Sequence, residues 1–147
     1  KTPRPGCPTV FDYRKVLEND SMFNTPPTYA IYLTGLMLEW IDAQGGVEVI
    51  GQKNAQKATM LYDFLDQSSF YQTRVAKAAR SFMNIPFYLP DDRLYEPFLK
   101  GAQAAGLLNL KGHKAVGGLR ASIYNAMPIE GVRALLDYLR QFEKESA

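Results

Sequence analysis

The chain has 147 residues, 46% of them hydrophobic and 12% aromatic, a composition that excludes a disordered protein and suits a single sizeable core. Its 17 basic and 15 acidic residues leave a net charge of +2, too little to draw it to nucleic acid or to a membrane surface. It has no apolar run of about 18 residues, the length a spanning helix needs, and its lone cysteine, Cys7, rules out an intrachain disulfide and favours a reducing, cytoplasmic setting.

The opening, Lys1 to Pro8, carries Pro3, Pro5 and Pro8 without an initiator methionine, a signal core or a helical period. A piece of a longer polypeptide is the expectation. Val10 to Leu17 holds at most a turn of helix or an edge segment. The stretch Ser21-Met22-Phe23-Asn24-Thr25-Pro26-Pro27-Thr28 then carries a helix-start signal, with Thr25 as N-cap and Pro26 at the first helical position. This predicts a helix as far as Gln44, stopped by Gly45 and Gly46. Its apolar residues, among them Tyr29, Ile31, Leu33, Leu36, Leu38 and Trp40, cover almost the whole circumference. Such a helix is buried on several sides, either as the core of this chain or against a larger domain or second subunit. Free amides at its start, with the Asn24 and Thr25 side chains, could hold a phosphate. Simple capping is the competing reading.

A second, amphipathic helix fits Val47 to Asp66, with Val47, Ile50, Ala58, Leu61, Tyr62 and Leu65 near helical spacing and Lys53, Gln56, Lys57 and Asp63 elsewhere. Ser81 to Leu89 reads as a strand in which Pro86, unable to donate to a ladder, argues for an edge. Asp91 or Asp92 caps a third helix ending at Gly106, with Pro97 either delaying its start to a Glu96 cap or kinking it. Leu107 to Leu110 is a short strand. Pro128 starts a last helix, whose Val132, Leu135, Leu136, Leu139 and Phe142 recur at helical spacing. The sum is an α+β fold, with helices packed on a small, mainly antiparallel sheet.

Between the last two strands lies the densest chemistry in the chain. Gly112-His113-Lys114-Ala115-Val116-Gly117-Gly118-Leu119-Arg120-Ala121-Ser122-Ile123-Tyr124-Asn125 holds the only histidine, followed by a Gly-Gly turn and an alternating segment. The alternation puts Leu119, Ala121 and Ile123 on a core face and Arg120, Ser122 and Tyr124 on the other. His113 with Lys114, and Arg120, are then two separate cationic points that suit a ligand with an anion at each end. A solvated turn beside an exposed arginine is the plainer alternative.

No CxxC, HExxH, GxSxG, P-loop or dinucleotide fingerprint is present, and one histidine with one cysteine offers little to a metal. The carboxylates form no acid/base pair. Any chemistry needs a group from elsewhere, a cofactor or further chain.

Ser21 to Thr28, and Leu107-Leu108-Asn109-Leu110-Lys111 followed by Gly112 to Pro128, closely resemble two segments of the phosphoserine aminotransferase family, and the likeness extends along the whole chain. These are class V, fold-type I pyridoxal-phosphate enzymes. The resemblance implies that residues 1–45 are the tail of the large cofactor-binding domain with an interdomain helix. Residues 46–147 are then the small C-terminal α+β domain. It further implies a cytoplasmic homodimer, with no nucleic-acid or membrane partner, that exchanges an amino group between L-glutamate and 3-phosphohydroxypyruvate. Asn24 and Thr25 match the pair that binds the phosphate of the pyridoxal 5'-phosphate held by the neighbouring subunit. Arg120 matches the arginine that holds the substrate α-carboxylate, while His113 and Lys114 match residues of the subsite for the distal phosphate or carboxylate. Many members carry arginine at the position of Lys114, and lysine keeps the charge without the planar fork. None of the lysines lies in the family's cofactor-lysine motif, so this polypeptide alone is expected to be inactive. A stand-alone α+β module that binds a small anion or a protein is the alternative.

Overall fold

Residues 2–146 are described by the computed structural model, and the chain divides into two units, Lys1–Ala43 and Gln44–Ala147. In the first, helix α1 (Tyr13–Glu18) starts where the Asp12 carboxylate accepts from the Arg14 N–H at 3.2 Å. The Arg14 guanidinium on the same carboxylate holds Asp12 below its usual pKa. Asp20 and Ser21, with φ of 48° and 66°, then turn the chain through the left-handed region.

Helix α2 runs Thr28–Ala43 and begins later than the Thr25 cap predicts. The cause is the proline pair: a residue before proline is pushed out of the helical region, so neither Thr25 nor Pro26 can open the helix. Pro27 does so instead, its carbonyl accepting from the Ile31 N–H at 3.1 Å. Within the first unit no residue of α2 is buried, so α2 is not the core helix of that unit.

The second unit holds the core. Helix α3 (Gly46–Gln67) buries Ile50, Asn54, Lys57, Ala58, Leu61, Tyr62 and Leu65. Helix α5 (Ile129–Ser146) turns Val132, Leu135, Leu136, Leu139 and Phe142 inward, as its spacing predicts. Strands β1 (Asn84–Phe87) and β2 (Leu119–Ser122) pair antiparallel, with Asn84 opposite Ser122 and Pro86 opposite Arg120. Their alternate residues Ile85, Phe87, Leu119 and Ala121 are buried. Helix α3 packs on β1 and α5, and edge-on contacts link Tyr71, Phe87, Phe98 and Phe142 across the core.

Three sequence expectations need correction here. Leu107 to Leu110 is not a strand, because Asn109 adopts φ +60° and breaks the extended run. What survives is isolated pairing, with Arg120 N–H donating to the Leu110 carbonyl at 2.8 Å and Gly112 N–H to that of Gly118 at 2.9 Å. Pro97 does not delay helix α4 (Tyr95–Ala104) to a Glu96 cap. Asp91 caps a single 3-10 turn, Asp92–Leu94, that feeds straight into α4, and Pro97 sits in the first turn where no N–H partner is needed. Lys57, grouped with the polar face of α3, is 3% exposed.

Candidate functional site

Arg120 owes its position to backbone. Leu119 and Ala121 drive β2 onto the core, the pleat turns Arg120 to the opposite face, and across the ladder stands Pro86, which offers no polar side-chain atom. The Arg120 side chain is half-buried and, among the described residues, has no ion pair; its Nε is buried without a hydrogen-bond partner. A guanidinium has five donors in a planar fork and is not deprotonated in proteins, so one left unpaired in a half-buried setting suits a carboxylate ligand. On the same face, the Ser122 and Tyr124 hydroxyls both donate to Asn84 Oδ1, at 3.3 and 3.2 Å. They line the face but are already committed, and Arg120 is its free cation.

His113 and Lys114 sit elsewhere, in the loop between Gly112 and Gly118. The Val116 and Gly117 N–H groups both donate to the His113 carbonyl, and Gly117 and Gly118 take φ of +74° and +66° to bring the chain back into β2. A Cβ at Gly118 would come within 2.6 Å of the Tyr88 ring and 2.9 Å of the Phe87 carbonyl, so the loop folds down closely on the end of β1. His113 Nδ1 accepts from the Ala115 N–H at 3.2 Å, which leaves Nε2 as the outward donor. Both side chains are exposed.

They border a cavity of about 820 Å³ whose walls also include Arg74, Tyr88, Lys111 and Tyr95. The Arg74 guanidinium lies 3.9 Å from the centre of the Tyr88 ring. Four basic side chains face one carboxylate, Asp92, in this lining, so the cavity favours anions. Arg120 is not part of its wall.

Asn24 and Thr25 lie in the first unit, exposed and just ahead of α2. Among the described residues their side chains have no hydrogen-bond partner. An amide, a hydroxyl and the first amides of a helix of 16 residues are a donor set that fits a phosphate, so the pair is suited to the phosphate of pyridoxal phosphate.

Reasoning from spacing missed Lys57. Its ammonium donates to the carbonyls of Tyr124 at 2.8 Å, Met127 at 2.9 Å and Ile123 at 3.3 Å, and burial pulls its pKa below the usual lysine value. Asn54, one turn earlier, donates to Asn125 Oδ1 at 2.8 Å. The clue was available: 54, 57, 58 and 61 share one helical face, and two of those positions are apolar. Among the described residues no group of His, Cys, Asp and Glu is placed to hold a metal, and no helix is long and apolar enough to cross a membrane.

Comparison with known proteins adds to this geometry. The sequence profile of the family described as aminotransferase class-V matches residues 6–135. A phosphoserine aminotransferase of Aromatoleum aromaticum is 62% identical over 138 residues, which are 94% of this chain and 38% of that protein. The solved phosphoserine aminotransferase of Bacillus circulans subsp. alkalophilus superposes with a TM-score of 0.87 at 42% identity, covering 95% of this chain and 39% of the other. A phosphoserine aminotransferase of Trichomonas vaginalis, solved with pyridoxal phosphate bound, gives 0.83 at 38% identity, over 95% of this chain and 40% of its own. The chain therefore spans about two fifths of the length of the relatives it matches.

Proposed function

The chain belongs to the class-V aminotransferase family, and from that premise we propose that it is the C-terminal part of a phosphoserine aminotransferase. The parent is a cytoplasmic homodimer that transfers an amino group between L-glutamate and 3-phosphohydroxypyruvate, yielding 2-oxoglutarate and O-phospho-L-serine. Residues 1–45 close its large domain and 46–147 form its small one. The apolar surface of α2, with Tyr29, Leu33, Leu36 and Trp40, is left uncovered by its own unit and supports a neighbour beyond that unit.

The observation that carries this reading is the Arg120 guanidinium, unpaired among the described residues, on a strand where it faces Pro86. Both amino-acid partners of the reaction share an α-carboxylate, and a two-pronged guanidinium binds that group in one orientation. This fixes the Cα of either substrate relative to β2 and holds it for the proton and amino-group exchange. The substrates differ at the other end, which bears a phosphate or a side-chain carboxylate. His113 Nε2 and the Lys114 ammonium take that end, in the site of the partner subunit. Lys114 acts there as a point charge, and so tolerates either anion. Asn24 and Thr25 hold the phosphate of pyridoxal phosphate, which supplies the electron sink for the exchange when bound.

The test is a direct assay of the longer protein that contains this chain. Formation of O-phospho-L-serine from L-glutamate and 3-phosphohydroxypyruvate, dependent on pyridoxal phosphate, is expected. The competing reading, a small-anion binding module, predicts ligand binding to the cationic cavity with no transamination.

A further inference from the structure

We propose that Lys57 is a positioning residue for Arg120: reaching across from α3, it pins the exit of strand β2 and so sets the height and face at which the guanidinium is presented. The inference rests on the reading of Arg120 as the carboxylate anchor, and it begins from how little else holds that strand.

Strand β2 has four residues and one full neighbour, β1. A two-stranded ribbon of this length is only marginally stable by itself. On its other side the pairing lies at the entry, through Arg120 N–H to Leu110 and Gly112 N–H to Gly118. Beyond Ser122 the ladder ends with the Ile123 N–H donating to the Met83 carbonyl at 2.8 Å. From that point the backbone is restrained by α3, and among the described residues the one remaining tie to β1 is the exposed bond of the Tyr124 hydroxyl to Asn84 Oδ1. All three N–H bonds of the Lys57 ammonium are used, on the carbonyls of residues 123, 124 and 127, and Asn54 takes the Asn125 side chain between them. The two side chains stand on adjacent turns of a helix whose remaining inward residues are buried in the core, so the pin is itself rigid.

Register is where this matters. A one-residue slip of a strand exchanges its two faces, and would turn Arg120 toward the core. Because the Arg120 side chain has no hydrogen-bond partner of its own among the described residues, its placement is inherited from the backbone of β2. A buried ammonium is a costly way to tie down a turn. Methionine would match the shape of Lys57 and take the ammonium away from all three carbonyls, of which, among the described residues, only that of Tyr124 keeps another donor, the Met127 N–H at 2.9 Å. Misplacing a binding group by about 1 Å can cost up to about a hundredfold in rate.

The experiment is made in the full-length enzyme, with steady-state kinetics, thermal unfolding and cofactor content measured together. Lys57→Met should raise the KM for L-glutamate by about tenfold or more while cofactor content holds. Should that variant fold poorly, Asn54→Ala, which spares the ammonium, should give a smaller shift in the same direction. In Lys57→Ala, added ethylammonium should lower the raised KM, because it restores the donor without restoring the side chain. A fall in melting temperature with KM unchanged in Lys57→Met and Asn54→Ala, or no response to ethylammonium, would overturn the proposal. Arg120→Ala is the control that separates the two ideas. If it raises KM and the Lys57 variants do not, the positioning role alone falls; if it leaves KM untouched, the carboxylate reading falls and takes the positioning role with it.

Discussion

Pro86 and Arg120 face each other across the β1–β2 ladder, so the one arginine on the polar face of this two-stranded ribbon looks onto a side chain that cannot bond to it. The pairing invites a direct competition. Glutamate at position 86 would put a carboxylate opposite the guanidinium, and cross-strand charge pairs of this kind contribute up to about 1 kcal/mol. Pro86→Glu should therefore raise the KM for both amino-acid substrates about threefold, while Pro86→Gln, similar in size and uncharged, should change it less. Equal effects of the two substitutions would trace the change to the backbone and not to occupation of Arg120.

Gly118 holds the His113-Lys114 loop down on β1. Alanine there meets both a φ of +66° and the Tyr88 ring, so Gly118→Ala should cost about 1–3 kcal/mol in denaturant unfolding. The kinetic effect should be weaker use of both the phosphorylated substrates and L-glutamate, since the loop takes either distal anion. A stable Gly118→Ala protein with unaltered kinetics would show that this loop geometry is not needed.

The core carries a pH signature. Tyr71 is 2% exposed, its hydroxyl donates to the Leu139 carbonyl at 2.8 Å, and burial, with Glu143 and Tyr138 adding to it, raises its pKa above the ordinary value of 10.0. The folded chain thus keeps a proton that the unfolded chain releases. This contribution is complete below pH 10.0 and is lost as the pH climbs beyond it, and Tyr62 and Tyr138 shift the same way. Tyr71→Phe should cost about 1 kcal/mol at neutral pH through the lost hydrogen bond. It should also flatten the alkaline decline in stability. Melting temperature followed into alkali, alongside tyrosinate absorbance, checks both.

Periodicity made α3 and α5 legible because each buries one face, and alternation placed Leu119, Ala121 and Ile123 correctly because β2 follows a strict two-residue repeat. What misled was local chemistry that overrides pattern. Two consecutive prolines moved the start of α2 past Thr25, and a left-handed Asn109 ended a strand that its leucines suggested. Lys57 was legible only in part: the face it shares with Ala58 and Leu61 marks it as inward, but not what it binds. Its three acceptors lie 66 to 70 residues away in sequence, beyond the reach of any helical period. His113, Lys114 and Arg120 are close in sequence, yet the cavity takes the first two and leaves out the third. A continuous motif cannot reveal such a division.

In the proposed function, Arg120 is the residue on which recognition of the substrate carboxylate depends. Its most direct test is the kcat/KM of Arg120→Ala in the longer protein, measured for L-glutamate and for O-phospho-L-serine, beside Asn24→Ala as a contrast. A loss of about a hundredfold for both amino acids, with cofactor retained, is the predicted result, since truncating one partner of a buried charged pair costs several kcal/mol. Asn24→Ala should instead weaken cofactor retention. An Arg120→Ala enzyme with undiminished kcat/KM would contradict the assignment of Arg120 to the substrate carboxylate.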